Sequence, residues 1–200
     1  MSNTTSEWMK TIELKGEHVT LKPLKLEHRN ALVEAATDGK LWELWFTAVP
    51  SEKSIDTYLE KAFTDAGQGV SLPFVVIDNA TQKVIGCTRF CNAVPQHRRV
   101  EIGYTWYAKS YQKTAVNTEC KWLLLDHAFS QLNAIAVEFR THWHNHASRN
   151  AIARLGAKQD GVIRNATIEP DGALRDTVVF SIIQSEWPSV SKSLLAKLAP

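Results

Sequence analysis

Cysteine is scarce in this 200-residue sequence: Cys87, Cys91 and Cys120 are the only three. An odd, sparse set excludes a disulfide framework and fits a reducing compartment. No uncharged apolar run approaches the roughly 20 residues needed to span a bilayer. The first ten residues lack a basic segment followed by an apolar stretch, so no secretory signal is read there and a cytoplasmic location is expected. Neither sign of charge is in excess: 23 Lys and Arg stand against 21 Asp and Glu, a net charge of +2. That balance gives no case for a nucleic-acid or membrane partner. Internal repeats and low-complexity segments are absent too. What is present is a hydrophobic fraction of 44% and a charged fraction of 22%. Both are usual for a globular chain, and the length suits one domain, residues 1–200, with a sizeable core. Residues 1–10 read as a loose lead-in.

Periodicity places the elements. His18 to Leu24 alternates as a strand, and Leu26 to Thr37 has helical spacing through Ala31, Leu32, Ala35 and Ala36. Ser51 to Phe63 is a second helix, with Ser51 as its expected N-cap. Strands follow at Leu72 to Asp78, Lys83 to Cys91 and Arg99 to Tyr107. Alternation in the last predicts Val100, Ile102, Tyr104 and Trp106 on one face and Glu101, Gly103, Thr105 and Tyr107 on the other. A polar loop, Ala108 to Thr114, leads into a long helix, Ala115 to Leu132. Then come a strand, Ala134 to Thr141, a helix, Asn145 to Leu155, with Gly156 as its C-cap, and a hairpin turning at Pro170-Asp171-Gly172. A short amphipathic tail, Val190 to Leu198, closes the chain. The order β-α-α-β-β-β-α-β-α-β-β predicts an α/β fold: a mixed sheet with helices on both faces.

Two strand-to-helix junctions carry the functional signal. Tyr107 to Glu119, YAKSYQKTAVNTE, opens a helix beside Lys109 and Lys113. A helix start offers unpaired N–H groups and the positive end of its dipole, so it suits phosphate. The plainer reading is an ordinary helix capped by Thr114. The segment has no glycine and is neither a Walker A loop nor a dinucleotide fingerprint. Thr141 to Gly156, THWHNHASRNAIARLG, repeats the arrangement, with Asn145 at the N-cap and Ser148 in the first turn. Adjacent strand ends that each open a helix make a ligand-binding crevice; simple capping is again the alternative.

Together with LKGEHVTLKPL near the start and DGALRDTVVFSIIQSEWP near the end, these segments resemble the GNAT superfamily of N-acetyltransferases over nearly the whole chain. The resemblance is nearest to the branch of ribosomal-protein N-terminal acetyltransferases. It implies a mostly antiparallel mixed sheet with a splayed central strand pair. It implies acetyl-CoA as co-substrate, with no metal, and an amine acceptor: a peptide or protein N-terminus, or a small molecule. Backbone N–H groups at Trp106 and Tyr107 would hold the pantetheine and thioester oxygen. Gln112, Lys113, Thr114, Ala115, Val116, Asn117 and Thr118 would wrap the pyrophosphate, and Asn145 would meet the pantetheine arm. Two glycines of the family's loop are replaced here, by Ala115 and Asn117.

The reaction needs a neutral amine, a stabilised carbonyl oxygen and a thiolate able to leave. Glu101 is the expected base, with an ion pair to Arg89, Arg98 or Arg99 as its structural alternative. Ser148 is the expected proton donor to the thiolate, with first-turn capping as its alternative. His142 or His144 is a second choice of base. The alternating His142, His144 and His146 match no established zinc spacing, so no metal is expected. Trp42, Trp45, Phe46 and His142 are expected to wall the acceptor site, or, for the aromatic residues, to pack over the sheet. The C-terminal hairpin offers an edge for a homodimer. The competing reading is a non-catalytic acyl-CoA-binding sensor or interaction module.

Overall fold

The structure is a computed structural model and describes residues 8–199. Its strands are β1 (Leu14–Lys15), β2 (Val19–Pro23), β3 (Leu72–Asp78), β4 (Val84–Val94), β5 (Arg99–Tyr107), β6 (Ala136–His142), β7 (Lys158–Ile168) and β8 (Leu174–Ile183). Its helices are α1 (Arg29–Thr37), α2 (Ile55–Gly67), α3 (Ala115–Asp126), α4 (His146–Arg154) and α5 (Trp187–Leu198). The strands form one sheet in the order β1-β2-β3-β4-β5-β6-β8-β7. Every pairing is antiparallel except β5 with β6. The mixed, mostly antiparallel sheet with helices on both faces is therefore present.

Each face of the sheet buries its own core. On one side Val19, Leu21, Phe74, Val76, Phe90, Val100 and Ile102 pack with Leu124 of α3, Ile152 of α4 and Leu194 of α5. On the other, Val75, Ile77, Cys87 and Trp106 pack with Leu32 and Ala36 of α1 and Ile55, Leu59 and Ala62 of α2. Of the helical spacings read from the sequence, Leu32, Ala35, Ala36, Ile55, Leu59 and Ala62 are buried, while Ala31 and Tyr58 are half-buried. None of the helices among the described residues is long and apolar enough to cross a membrane.

Several boundaries differ from expectation for local reasons. Helix α2 begins one turn late, with Ser54 rather than Ser51 at its N-cap position, because Ser51 and Ser54 bond each other in a preceding turn. The long helix after β5 is α only to Asp126 and widens into a π turn, His127–Gln131. Of the expected lead-in, residues 1–7 lie outside the described residues. From Trp8 the chain is docked: the indole N–H donates to Leu132 O at 2.9 Å and Met9 is buried. The alternation in β5 holds only to Gly103. Tyr104 takes a left-handed φ of 50°, which shifts the remaining residues by one. Tyr107 then joins Val100 and Ile102 in the first core, while Trp106 joins the second.

One carboxylate ties the two ends of the fold together. Glu119, in the second turn of α3, is 5% exposed, yet it accepts three backbone N–H bonds at 2.8 Å, from Glu17, His18 and Val19. Gly16 makes room for it, since a Cβ there would lie 2.4 Å from the carboxyl carbon. Hydrogen bonds to an ionised acceptor contribute more than neutral ones, and the donors left behind would be buried. Glu119→Ala is expected to lower stability by about 3 kcal/mol in chemical denaturation, and Glu119→Gln by less, because the amide still accepts.

Candidate active site

The site begins where β5 and β6 part. They pair in parallel only over Arg99↔Ala136, Val100↔Val137 and Glu101↔Glu138. Strand β6 stays with β8 along its whole length, from Ala136↔Ile183 to His142↔Thr177. Strand β5 stays with β4 to Gly86↔Tyr107. At the bend, Gly86 is required by close approach: a Cβ there would stand 2.2 Å from the Trp106 carbonyl oxygen. The result is a wedge between two strands, and Trp106 and Tyr107 lie on its margin.

A helix start flanks each strand at the mouth of the wedge. Thr114 Oγ1 accepts the Val116 N–H at 3.3 Å, and Asn145 Oδ1 accepts the Ser148 N–H at 3.0 Å. The capping readings of both residues are thus realised. Capping takes up one amide at each helix start, and the remaining first-turn N–H groups have no partner within their helix. Lys109, Gln112, Lys113 and Thr114 are exposed beside the start of α3, Lys113 at a left-handed φ of 63°. Gln112 Nε2 donates to the Tyr107 carbonyl at 3.0 Å. The loop is clamped from outside: Asp38 Oδ2 accepts Ser110 N–H at 3.0 Å and Ser110 Oγ–H at 2.6 Å, and these bonds hold its carboxyl below the usual range.

Glu101 stands at the last paired position of the wedge and is 8% exposed. It accepts from Asn92 Nδ2 at 2.8 Å and has Arg140 Nε at 3.4 Å. The arginines expected as its ion-pair partners do not fill that role: Arg99 pairs with Glu138 instead. Burial pushes the Glu101 carboxyl above the ordinary range; Asn92 and Arg140 oppose this and nearby Glu138 adds to it. Ser148 is half-buried in the first turn of α4. Burial raises the thiols of Cys87 and Cys91 and pushes Cys120 up to about 12, so all three stay protonated.

Three of the four expected acceptor-wall residues meet. The Trp45 ring lies 5.6 Å from Phe46 and 5.0 Å edge-on from His142, with His144 at 5.7 Å. Trp42 packs against the core under α1 and α2 instead. His142 is buried, its imidazole held below the usual pKa mainly by burial, and its Nδ1 accepts the His144 N–H at 3.0 Å. Among the described residues no group of three His, Cys, Asp or Glu is arranged to hold a metal.

Sequence reasoning missed Arg89, Tyr58, Asn92 and Lys121. The signal for the first was a charged residue inside the apolar run of β4. The signal for Lys121 was a helix with hardly any polar face: Glu119, Cys120, Lys121, Leu123, Leu124 and Leu125 are all buried. Lys121 Nζ donates to Thr105 Oγ1 at 2.5 Å, and that hydroxyl lies 2.8 Å from Thr88 Oγ1.

The family description "Acetyltransferase (GNAT) domain" matches residues 18–158. The chain belongs to this acetyltransferase family, and acyl-CoA-dependent acetyl transfer is the activity that goes with it. The "Uncharacterized N-acetyltransferase p20" of Bacillus licheniformis is 23% identical over 175 residues, covering 87% of this chain and 97% of that protein. A GCN5-related N-acetyltransferase from Brucella melitensis is similar in structure, with a TM-score of 0.84 and 28% identity over 96% of this chain and 87% of that one. The fold is also shared with Mycobacterium smegmatis RimJ, solved in complex with CoA-disulfide: TM-score 0.74, 23% identity, 90% of this chain and 88% of that one.

Burial pushes the Lys121 ammonium down to about 8 from 10.5. Its folded pKa lies below its unfolded one, so the unfolded chain binds more protons between those values, and this group's contribution to stability rises with pH there. Lys121→Met is expected to be the more stable protein by about 3 kcal/mol at pH 7. The difference should shrink as pH rises from 8 to 10.5 in paired urea titrations. Phenols and thiols that burial raises in the folded protein ionise in the unfolded chain across the same window, so the difference between the two proteins is the quantity to read.

Proposed function

We propose that the protein transfers the acetyl group of acetyl-CoA to a primary amine, by direct attack with both substrates bound. The observation that supports this most is the wedge itself, with a lysine-flanked helix start at one end and a buried carboxylate at the other. The N–H groups at the start of α3, with Lys109 and Lys113, suit the pyrophosphate of the coenzyme. The replaced glycines do not count against this. Ala115 and Asn117 lie inside α3, where ordinary backbone angles suffice, and Lys113 takes the left-handed turn. Acetyl-CoA supplies an activated acyl group when bound. The chain's part is to align it along the β5 margin near Trp106 and Tyr107, to shield it, and to take a proton from the amine. Glu101, raised in pKa and held by Asn92, is suited to that last role, directly or through water. Ser148, in the first turn of α4 across the wedge, is the proton donor to the departing thiolate. Trp45, Phe46 and His142 form the acceptor wall.

Acetyl-CoA titrated by calorimetry is expected to bind in the micromolar range. Lys113→Glu should weaken binding by about five-fold or more through like charge, with melting unchanged. Absence of binding at millimolar coenzyme would remove the enzyme reading. Glu101→Gln is expected to lower turnover about 100-fold with coenzyme affinity retained. Because the base form of Glu101 grows with pH, wild-type kcat/KM should climb through a pKa above 4.5, and the variant should lose that limb. An unchanged profile would exclude Glu101 as the base.

A further inference from the structure

Strand β4 carries a charge that the transfer reaction leaves unused. Arg89 is 0% exposed. Its guanidinium lies between two aromatic rings, 4.4 Å from the centre of Tyr58 and 4.2 Å from that of Tyr104. Nη2 has a long 3.5 Å contact to the Tyr58 carbonyl, while Nε and Nη1 are buried without a hydrogen-bond partner. Among the described residues no carboxylate pairs with it. Asp65 is engaged with Lys61, and Glu101 with Asn92 and Arg140. A guanidinium keeps its proton, so burial leaves a full charge with unmet donors in its plane. Such a group costs several kcal/mol unless an anion meets it. The two rings cover its faces, but ring faces cannot satisfy in-plane N–H groups.

The position of Arg89 points to the anion. On the face toward α2, Arg89 stands opposite Gly103, and Cys91 stands opposite Glu101. Arg89 and Glu101 are therefore diagonal neighbours, about 7 Å apart at their Cβ positions. Gly103 keeps the floor between them low: a Cβ there would lie 3.2 Å from Glu101 Oε1 and 3.0 Å from Cys91 Sγ. Tyr104, 39% exposed at the left-handed bulge, covers the guanidinium on one side. It also lines a small cleft of about 100 Å³ with Lys61, Asp65, Ser71, Cys91 and Asn92. Asn92 is also the donor to Glu101. Tyr104 and Asn92 thus link the cleft to the guanidinium and to the expected base, neither of which lines it.

We infer that Arg89 recognises a carboxylate on the acceptor, and that the acceptor is a small amine bearing its carboxylate a few atoms from the amino group, as an amino acid does. A carboxylate is as flat as the guanidinium and pairs within its plane, between the rings. The amino group of the same molecule then reaches Glu101. The internal end of a long polypeptide N-terminus offers no such carboxylate. This inference rests on the transfer reading, and its test separates the two.

Product-like probes need no turnover. Melting of the wild type is measured with millimolar N-acetylalanine and with N-acetylalaninamide, then repeated for Arg89→Met and Arg89→Lys. The acid is expected to raise the wild-type melting temperature and the amide to leave it in place. Arg89→Met should lose the response to the acid while melting, unliganded, at or above the wild type, because the unpaired charge is gone. Arg89→Lys should keep a weaker response. In a thiol-release assay, Arg89→Met should raise KM for alanine about ten-fold or more, with a smaller effect on kcat. Equal wild-type responses to acid and amide would overturn the inference. So would an Arg89→Met protein that melts far below the wild type yet still responds to the acid, since the arginine would then serve packing alone. Absence of acetyl-CoA binding and of thiol release would sink the transfer reading, while the melting comparison would still decide the role of Arg89.

Discussion

The site depends on a limit to strand pairing. β5 and β6 share a ladder for three residues on each strand and then separate, each held by its other neighbour. Backbone polar groups seldom stay unpaired in a protein interior. The inner margins of the wedge therefore demand partners that the sheet does not supply, and a ligand with amides along its length can supply them. The bulge at Tyr104 serves the same end. It turns β5 away from β6 and sends Trp106 and Tyr107 into opposite cores, which locks the bend in place.

Around the wedge the protein keeps charges that burial disfavours. Glu101 and Arg89 lie toward α1 and α2, and Lys121 lies under α3 on the opposite face. Their partners differ: Glu101 has the Asn92 amide and the Arg140 guanidinium at 3.4 Å, Lys121 has a threonine hydroxyl, and Arg89 has two ring faces. Glu119 is the contrast: equally buried, it has three backbone donors and serves only to fasten α3 to the β1–β2 turn. Local rules broken without compensation mark function more often than they mark stability. Arg89 and Lys121, buried without a carboxylate partner on opposite faces of the sheet, are the two such breaks near the wedge.

Much of this was legible in the sequence. The segments from His18 to Leu24 and from Leu72 to Asp78, and the two strand-to-helix junctions, have periods and caps that act locally, so they could be read locally. The order of elements and the sheet class followed from them, and Asn145 and Gly156 were read in the places they hold. What could not be read depends on contacts between distant segments. Nothing near Tyr104 in the chain announces a left-handed residue; the bulge falls between the Arg89↔Gly103 and Cys87↔Trp106 pairs, next to the place where Gly86 on the neighbouring strand leaves room for the Trp106 carbonyl. The burial of Arg89 and Lys121 follows only once α2 covers β4 and α3 lies on the sheet. The partner of Glu101 was sought among arginines near in sequence and came from β6 instead.

The connection from α1 to α2 explains why the wedge keeps its width without strand pairing. At one end Asp38 grips the loop after β5 through Ser110, its own carbonyl accepts the Lys109 N–H at 3.1 Å, and Gly39, at a φ of 91°, lies against the Lys109 side chain. Leu41 then anchors the segment in the core. A few residues later Trp45 rests on His142 and His144, where β6 ends. The segment thus bridges the two diverging strand ends across the mouth of the wedge. One end touches the loop proposed to hold pyrophosphate, and the other carries the aromatic residues proposed to wall the acceptor. A change of register in this strap would move its contacts at both strand ends together, so the spacing of the two proposed subsites depends on a single stretch of chain as well as on the sheet.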